Sequence, residues 1–400
     1  MSVRSWLVAL GLLLAGPAGA APTVILISLD GLRHDLPERV GSPALERVMR
    51  EGARAERLTP VHPSNTFPGH VSLATGTHPD RHGIVDNAFL DRDRGRFRKS
   101  DDPSWIEAEP LWVAAERQGV PTAVYFWVGS EADWQGVGAR HRMAPFDSRI
   151  GEDQKVDQIL RWLDLPPAQR PRLVMAWWHG ADAAGHAHGP DHALVMQAVR
   201  EQDIQLGRLL RGIDARGWSE TTLLLVSDHG MTRVLGEISL KSELAATGRE
   251  FRMANSSALA HVFVENESDL EPLEAVAHGL RHVTVYRGAS LPDSLRLHHP
   301  TRTGDLVLLA DPGYIFRSGT FGERFWRGVQ RTLGRDTGMH GFAPEHEDMG
   351  GVFLALGRGV PAGARLGRVH QIDVAPTVAK LLGIDPPRQS EGTPIPGIDP

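Results

Sequence analysis

Six short apolar runs recur along the chain, and amphipathic helical patterns separate several of them. Apolar runs of this length are typical of strands buried on both faces of a sheet. Strands that alternate with helices favour a parallel sheet with helices on both of its faces. The runs are TVILISLDG (23–31), VPTAVYFWV (120–128), PRLVMAWWH (171–179), TTLLLVSDHG (221–230), GDLVLLA (304–310) and GGVFLALG (350–357).

The helical patterns lie at 42–52, 110–119, 191–214 and 372–384. In the longest of them, apolar side chains recur at spacings of three, four and seven residues, which places them on one helix face. We therefore predict an α/β fold with a mostly parallel central sheet. Residues 22–400 are expected to form a single domain, with a smaller inserted lobe over roughly 230–300, where the pattern is less regular.

The N-terminus (1–20) predicts an export signal. Arg4 precedes an apolar run that starts at Trp6, and Ala18-x-Ala20 follows, an order typical of a secretory signal cleaved after Ala20. A membrane anchor is the weaker alternative, because a spanning helix needs about 20 apolar residues. The chain has no cysteine. We expect an exported bacterial protein, located in the periplasm and without a stable membrane anchor after cleavage.

The charge balance limits the class of partner. The chain carries a formal net charge of -6 over 400 residues, which does not fit general binding to nucleic acid duplexes. An anionic ligand would have to be held by local features such as metals or helix N-termini.

Three of the predicted strands end in residues that can bind metals. Asp30 ends the first, His179 with Asp182 beyond it ends the third, and Asp228-His229 ends the fourth. Ligands collect at the carboxyl ends of strands in parallel sheets, so these side chains could share one site. Each alone could equally be a helix cap or turn residue.

The segment DAAGH (182–186) spaces Asp182 and His186 four residues apart. One helical turn would place both on one face, and a carboxylate with an imidazole is a ligand set that suits zinc. His179, His188 and His192 crowd the same segment, and a solvated histidine-rich loop is the alternative. His340, between glycines in GMHGF, would complete this incomplete set and leave room for water or substrate.

The stretch PSNTFPGH (63–70) holds Thr66 between two prolines. Prolines are common in surface turns, so a turn is the ordinary interpretation. A threonine hydroxyl is a weak nucleophile unless a base or a metal activates it. The stretch therefore predicts a nucleophile only if metal ligands lie beside it.

Nine motifs occur in order along the chain: SLDGLR, PSNTFPGHVSLATGTHPDRHGIVDN, EPLWVAAERQG, YFWVGSEA, GADAAGHAHGP, SDHGM, RTGDLVLLADPGY, GMHGFAPEHEDMGGVFLALG and VHQIDVAPTVAKLLGI. In that order they resemble the nucleotide pyrophosphatase/phosphodiesterase family of the alkaline-phosphatase superfamily. The resemblance covers nearly all of residues 22–400 and implies an alkaline-phosphatase-like fold. It also implies a phosphodiesterase catalytic domain with phosphodiesterase I and nucleotide pyrophosphatase activity.

The resemblance implies roles for individual residues. Thr66 would be the nucleophile, and Asn87 and the Phe67 N–H would hydrogen-bond a phosphoryl oxygen. Two divalent ions can bracket an in-line phosphoryl displacement. The expected reaction passes through a covalent threonine-phosphoryl ester and releases nucleoside 5′-monophosphates from nucleotides and nucleotide esters. The implied zinc ligands are Asp30, Thr66, Asp228 and His229 for one ion, and Asp182, His186 and His340 for the other.

Contacts to the rest of the substrate are less constrained by the sequence. Phe67 could stack on a nucleobase. Tyr125, Phe126, Trp127 or Trp134 could add to that slot, although core packing is favoured for most of them.

Two further features near Thr66 have open interpretations. Gly69 stands where family members often have asparagine, which alters loop shape but not the metal ligands. The basic run DRDRGRFRK (91–99) is interpreted as a solvated loop, with binding of a phosphate tail as the alternative.

Other functions use similar residues. A phospholipid-headgroup phosphodiesterase or a phosphomonoesterase could use the same metals, although no aromatic cage for a choline headgroup is identifiable. A sulfatase is disfavoured, because the chain has no cysteine to form its aldehyde nucleophile. A periplasmic metal- or phosphate-binding protein without turnover is the non-enzyme alternative, but such a protein would not need Thr66.

Overall fold

The computed structural model describes residues 21–100, 102–317 and 336–400. The predicted export signal at 1–20 lies outside the described residues. Within the three described ranges, no helix is both long and apolar enough to cross a membrane.

Most of the described chain forms strands and helices of ordinary length. The strands are β1 (Thr23–Leu29), β2 (Ala53–Thr59), β3 (Ala88–Asp91), β4 (Gly95–Arg98), β5 (Thr122–Tyr125), β6 (His141–Met143), β7 (Leu173–Trp178), β8 (Thr221–Val226), β9 (Thr232–Arg233), β10 (Gly236–Ile238), β11 (Arg252–Ser256), β12 (Leu259–Phe263), β13 (Val283–Arg287), β14 (Leu306–Ala310), β15 (Tyr314–Phe316), β16 (Gly338–Met339), β17 (Phe353–Gly357) and β18 (Ala364–His370). The α-helices are α1 (Leu36–Val40), α2 (Pro43–Glu51), α3 (Thr66–Thr75), α4 (Pro79–His82), α5 (Leu111–Arg117), α6 (Glu152–Leu163), α7 (Gly180–His188), α8 (Ala193–Asp214), α9 (Leu240–Ala245), α10 (Leu270–His278) and α11 (Val374–Leu382). Short 3₁₀ helices lie at Pro103–Trp105, Glu267–Asp269, Gly288–Ser290, Asp293–Leu295, Glu347–Met349 and Gln371–Asp373.

The central sheet has eight strands in the order β18-β2-β17-β8-β1-β7-β5-β6. Every neighbouring pair is parallel except the two that involve β17, which runs antiparallel to β2 and β8. β1 lies in the interior of the sheet, where Ile25 is opposite Val174 of β7 and Leu223 of β8. The predicted α/β fold with a mostly parallel sheet is confirmed.

Helices cover the sheet in two groups. α8 packs on α2, α6 and α7, while α11 packs on α3, α5 and β1. The chain crosses from β1 to β2 towards one edge of the sheet and from β2 to β5 towards the other. Because such crossovers are right-handed, their helices lie on opposite faces. Asp203 of α8 accepts the N–H groups of Ala44 and Leu45, which have no partner within the first turn of α2.

A second sheet is antiparallel, with the strand order β11-β12-β14-β13. It has its own hydrophobic core, in which Leu306 and Leu308 pack with Leu273 of α10. Predicting the run 304–310 as a strand of the main sheet was wrong, because it forms β14 of this second sheet. Val307 on the other face of β14 packs on Leu297, so β14 is buried on both sides and its sequence is as apolar as a strand of the main sheet.

Two other expectations need correction. The strand predicted over 120–128 ends at Tyr125, because Phe126 adopts a left-handed backbone conformation with φ +61°. β2 was not recognised as a strand, because its sequence ARAERLT mixes charged and apolar residues without a long apolar run.

Candidate active site

The strand order brings the predicted strand-end residues together. β8, β1 and β7 are neighbours, and the residues after them meet at the carboxyl edge of the sheet. Asp30 follows β1 and Asp228 follows β8. α7 begins just after β7 and carries Asp182 and His186 one turn apart. β16, which directly precedes His340, pairs with β9 and so returns to the same edge.

The first predicted ligand set surrounds the Nε2 atom of His229. This nitrogen lies 3.2 Å from Asp228 Oδ2 and 3.5 Å from Asp30 Oδ1. Thr66 Oγ1 lies 3.3 Å from the same nitrogen. All four residues are buried.

The second predicted set is equally close. Asp182 Oδ1 lies 3.3 Å from His186 Nε2 and 3.7 Å from His340 Nε2. The two imidazole nitrogens are 3.2 Å apart. The three residues therefore aim one oxygen and two nitrogens at a common point.

Asp182 also belongs to a second group of close ligand atoms, with Asp30 and His229. The rings of His229 and His340 stack with their centroids 3.6 Å apart. The two sets thus form one continuous site. We call their residues the donor cluster: Asp30, Thr66, Asp182, His186, Asp228, His229 and His340.

The donor cluster fits divalent cations. Asp30 Oδ1, Asp182 Oδ1 and Asp228 Oδ2 are buried and accept no hydrogen bond. Unpaired carboxylate oxygens are costly to bury, and a cation at the site would compensate them. Burial, with the charges of Asp228 and Asp182, raises the pKa of Asp30 well above its usual value. The residues present therefore suit a metal centre.

Hydrogen bonds fix the imidazole rings of the cluster. His186 Nδ1 is 3.1 Å from the Gly338 carbonyl oxygen, and His340 Nδ1 is 3.0 Å from that of Ser64. His229 Nδ1 likewise faces the Gly230 carbonyl oxygen at 2.9 Å. A carbonyl oxygen can accept a hydrogen bond but cannot donate one. Each Nδ1 therefore carries the proton, and each Nε2 keeps a lone pair for a metal.

Thr66 is the first residue of α3, and Asn65 occupies the N-cap position. Pro68 in the same first turn costs no hydrogen bond, since the N–H groups there have no partner within the helix. The positive end of the helix dipole lies next to the Thr66 hydroxyl, which favours negative charge on it.

The two predicted phosphoryl donors, Asn87 and the Phe67 N–H, bond to each other. The Phe67 N–H donates to Asn87 Oδ1 at 2.8 Å. That bond orients the amide, so the NH₂ group of Asn87 is left to donate to a ligand oxygen. Phe67 is half-buried, and its ring forms a T-shaped pair with that of Phe97, with the centroids 6.0 Å apart.

Asp86 is a positioning residue that the sequence did not reveal. Its Oδ1 accepts from Asn65 Nδ2 and from the Asn87 N–H, both at 2.7 Å. Asp86 therefore ties the N-cap of α3 to the residue that orients the Phe67 N–H. Asn65 and Asp86 stand inside the quoted motifs, but hydrogen bonds between distant loops leave no sequence pattern.

Replacing Asp86 by alanine is expected to lower kcat by about tenfold, because a small displacement of a reacting group is costly. Burial raises the pKa of Asp86 to about 8, so a neutral asparagine resembles its folded state. Asp86→Asn should keep the Oδ1 acceptor and recover most of kcat. Steady-state kinetics with KM and kcat separated check this, and equal losses in the two variants would contradict it.

Further residues support the cluster. The Trp177 indole N–H donates to Asp30 Oδ2 at 2.9 Å, and Gln371 Nε2 donates to the Asp228 carbonyl oxygen at 2.5 Å. His70 Nδ1 lies 2.8 Å from the Thr66 carbonyl oxygen and 3.4 Å from Asp228 Oδ2. Only His70 had a sequence signal, because it stands four residues after Thr66.

Several candidates lie apart from the cluster. The Lys155 ammonium donates to His179 Nδ1 at 3.1 Å. His188 and His192 stack on each other, with centroids 4.9 Å apart. The remaining aromatic candidates are buried, as core packing predicted: Tyr125, Phe126, Trp127 and Trp134.

Comparison with known proteins identifies the family. The model of the type I phosphodiesterase / nucleotide pyrophosphatase family matches residues 24–343. The chain belongs to this family. It is 26% identical over 390 residues to mouse ectonucleotide pyrophosphatase/phosphodiesterase family member 1, covering 92% of this chain but only 41% of that relative. It is 28% identical over 376 residues to bis(5′-adenosyl)-triphosphatase of Xenopus laevis, covering 91% of this chain and 78% of that one.

A solved structure shares the fold of this phosphodiesterase family member. Murine ectonucleotide pyrophosphatase/phosphodiesterase 5, an inactive variant in complex with AMP, superposes with a TM-score of 0.82 at 24% identity. The match covers 91% of this chain and 95% of that chain.

Gly69 lets α3 approach the Asp228 strand end in this phosphodiesterase family member. A Cβ at Gly69 would lie 2.9 Å from the Asp228 carbonyl oxygen and 3.1 Å from its Cβ. An asparagine at this position, as the family resemblance would suggest, would require the backbone of α3 to move away from Asp228.

Gly69→Ala is therefore expected to lower kcat/KM by about tenfold or more, since it displaces Thr66 from Asp228. Gly207→Ala is a matched control in α8, because its new Cβ would meet only ordinary contacts, the nearest at 3.5 Å. Enzyme kinetics and thermal unfolding of both variants test this. Full activity in Gly69→Ala would contradict it.

Proposed function

We propose that this chain is a two-zinc hydrolase that cleaves phosphodiester and pyrophosphate bonds of nucleotides and nucleotide esters. The products would include nucleoside 5′-monophosphates. One observation carries the proposal: the Thr66 hydroxyl lies 3.3 Å from His229 Nε2, beside three carboxylates that each keep one buried oxygen without a hydrogen bond. A binding protein would have no need of a hydroxyl at that point.

The comparisons support the choice of substrate. One relative is described as a bis(5′-adenosyl)-triphosphatase, and one solved structure with the same fold contains AMP. The name of the first and the ligand of the second both concern adenine nucleotides. Transferred to this chain, they favour nucleotide substrates over lipid headgroups.

The two predicted ligand sets would hold one cation each. When bound, the cations supply positive charge that lowers the pKa of a nearby hydroxyl and stabilises the phosphoryl oxygens. The ligands are divided as follows: Asp30, Thr66, Asp228 and His229 for one ion, and Asp182, His186 and His340 for the other.

Thr66 would carry the covalent step. Its Oγ1 forms a bond to phosphorus, and the bond from phosphorus to the leaving-group oxygen breaks. The leaving group departs with the proton that Thr66 has lost. Water then attacks the threonine-bound nucleotidyl group, which restores the Thr66 hydroxyl and releases the nucleoside 5′-monophosphate.

Asn87 and Phe67 would hold the rest of the substrate. The NH₂ group of Asn87 donates to a phosphoryl oxygen and is neutral, which suits a singly charged diester better than a doubly charged monoester. The half-buried Phe67 ring, next to the nucleophile, offers a face for a nucleobase.

A panel of four substrates tests this function with the purified, metal-loaded protein. The substrates are a nucleotide p-nitrophenyl ester, bis-p-nitrophenyl phosphate, p-nitrophenyl phosphate and a lysophosphocholine. We expect the nucleotide ester to be hydrolysed fastest, with AMP-type products. Monoester hydrolysis that equals or exceeds diester hydrolysis would point to a phosphomonoesterase, and preference for the lysophosphocholine to a headgroup phosphodiesterase.

A further inference from the structure

A wide cleft lies on the far side of the β3–β4 ribbon, between β4 and residues 241–255. Its volume is about 970 Å³. We call it the basic cleft, because its charged lining is mostly cationic: Arg96, Arg98, Lys241, Arg249 and Arg252, with Glu250 and Glu265. Nothing in the donor cluster lines it.

The ribbon presents two chemically different faces. Side chains alternate along a strand, so Arg96 and Arg98 share one face of β4 and Phe97 lies on the other. Phe97 is buried and stacks on Phe89 with centroids 4.6 Å apart. Arg96 and Arg98 are exposed and line the cleft. The packing of Phe97 therefore fixes the direction of both arginines.

The cleft has an excess of positive charge. Arg252 pairs with Glu265 at 2.9 Å, and Arg249 pairs with Asp269 at 3.4 Å. By contrast, Arg96, Arg98 and Lys241 form no ion pair with any acidic side chain in the described ranges. Among the lining residues that the structure describes, Glu250 is the only carboxylate left to offset these three cations. Cations gathered in one concave surface attract anions with several charges.

The cleft is joined to the catalytic side of the molecule through the backbone. β3 begins directly after Asn87, and the Lys99 N–H at the end of β4 donates to the Asn87 carbonyl oxygen at 3.2 Å. The arginines thus stand on a ribbon whose first strand directly follows Asn87, the residue that accepts the Phe67 N–H. An anion bound in the cleft would lie against the β3–β4 ribbon, which directly follows Asn87 in the chain.

We propose that the basic cleft binds a phosphate-bearing anion with several negative charges, at a position distinct from the donor cluster. Guanidinium groups suit this class, because each can donate two parallel hydrogen bonds to a phosphate. Such an anion could be a free polyphosphate or the distal phosphates of a long nucleotide substrate. The chemistry of recognition is the same for both.

Titration calorimetry with inorganic tripolyphosphate tests the proposal. The metal-loaded protein is first saturated with AMP, and its metal content is checked after the titration. We expect one binding event in the wild type that weakens by about tenfold or more in Arg96→Glu/Arg98→Glu, and that weakens further as salt is added. The matched control is Arg365→Glu/Arg368→Glu, which changes the net charge equally on the exposed strand β18.

The outcomes separate the cleft from the proposed function. If AMP does not bind, that result counts against the proposed nucleotide function but not against the cleft proposal. Absence of tripolyphosphate binding, or equal weakening in the two double variants, would overturn the cleft proposal. Turnover of bis-p-nitrophenyl phosphate should be unchanged in Arg96→Glu/Arg98→Glu, which shows that the fold is intact.

Kinetics on two substrates identify the source of the anion. A selective loss of kcat/KM on a dinucleoside polyphosphate, relative to bis-p-nitrophenyl phosphate, would assign the cleft to the substrate. Weakened tripolyphosphate binding with unchanged kcat/KM on both substrates would assign it to a free polyphosphate.

Discussion

Thr66→Ala is expected to lower kcat for a nucleotide diester by at least about a thousandfold, because it removes the attacking oxygen itself. The other donor-cluster residues keep their places. Metal content should therefore stay largely intact, and thermal unfolding should change little. Steady-state kinetics with elemental analysis of the same sample measure both quantities.

Thr66→Ser is the matched variant for this test. Serine keeps a hydroxyl at the first position of α3 and loses only a methyl group, so it should retain far more activity than alanine. Substantial turnover in Thr66→Ala would remove Thr66 from its proposed role. If Thr66→Ala loses metal in proportion to activity, the lost activity would be explained by Thr66 acting as a metal ligand, and its role as nucleophile would not be supported.

Removing the metals is expected to abolish turnover, and Asp182→Ala should come closest to that result among single variants. Asp182 is the residue that both groups of close ligand atoms contain. Its loss should therefore weaken metal binding at two positions, whereas loss of a ligand that belongs to one group, such as His186, should weaken metal binding at one. Substitution of a residue that only supports a metal ligand typically costs about 10–100-fold in metal affinity, so loss of the ligand itself should cost at least as much.

The comparison uses three variants in parallel. Asp182→Ala should hold less metal than His186→Ala, and added zinc should restore His186→Ala more readily. His188→Ala is the matched control, since His188 stands on the same helix but stacks on His192 instead. Activity that survives thorough chelation, or full metal content in Asp182→Ala, would contradict the two-metal arrangement.

The residues that the sequence predicted for the two ligand sets lie close together in the structure, whereas some of the predicted strands do not hold. Asp30, Asp182 and Asp228 were recognisable because each follows an apolar run, and the ends of neighbouring parallel strands must meet. His340 was predicted as the residue that completes an incomplete ligand set, whereas choosing His186 over His188 needed the family resemblance, because spacing alone does not distinguish the histidines of that segment. The order of the strands and the pairing of β16 with β9 explain why those choices bring the ligands together.

What the sequence missed depends on contacts between distant segments. The bond from Asn65 to Asp86 spans two loops, and neither residue type is unusual in a loop. β14 was assigned to the wrong sheet because an apolar run does not specify its neighbours. Likewise, the pairing of the Phe67 N–H with Asn87 could not be foreseen, since both groups were expected to face the substrate.

The interior position of β1 has a consequence for how the chain acquires its structure. β1 is the first strand to be synthesised among the described residues, yet its sheet neighbours are β7 and β8, which begin at Leu173 and Thr221. Until those later segments are available, a strand that is largely apolar has no native partner in the sheet. Such long-range pairing slows folding and leaves an aggregation-prone intermediate with exposed apolar surface. Early collapse of this strand onto other chains should therefore compete with folding, and a chaperone that shields residues 23–29 should raise the yield.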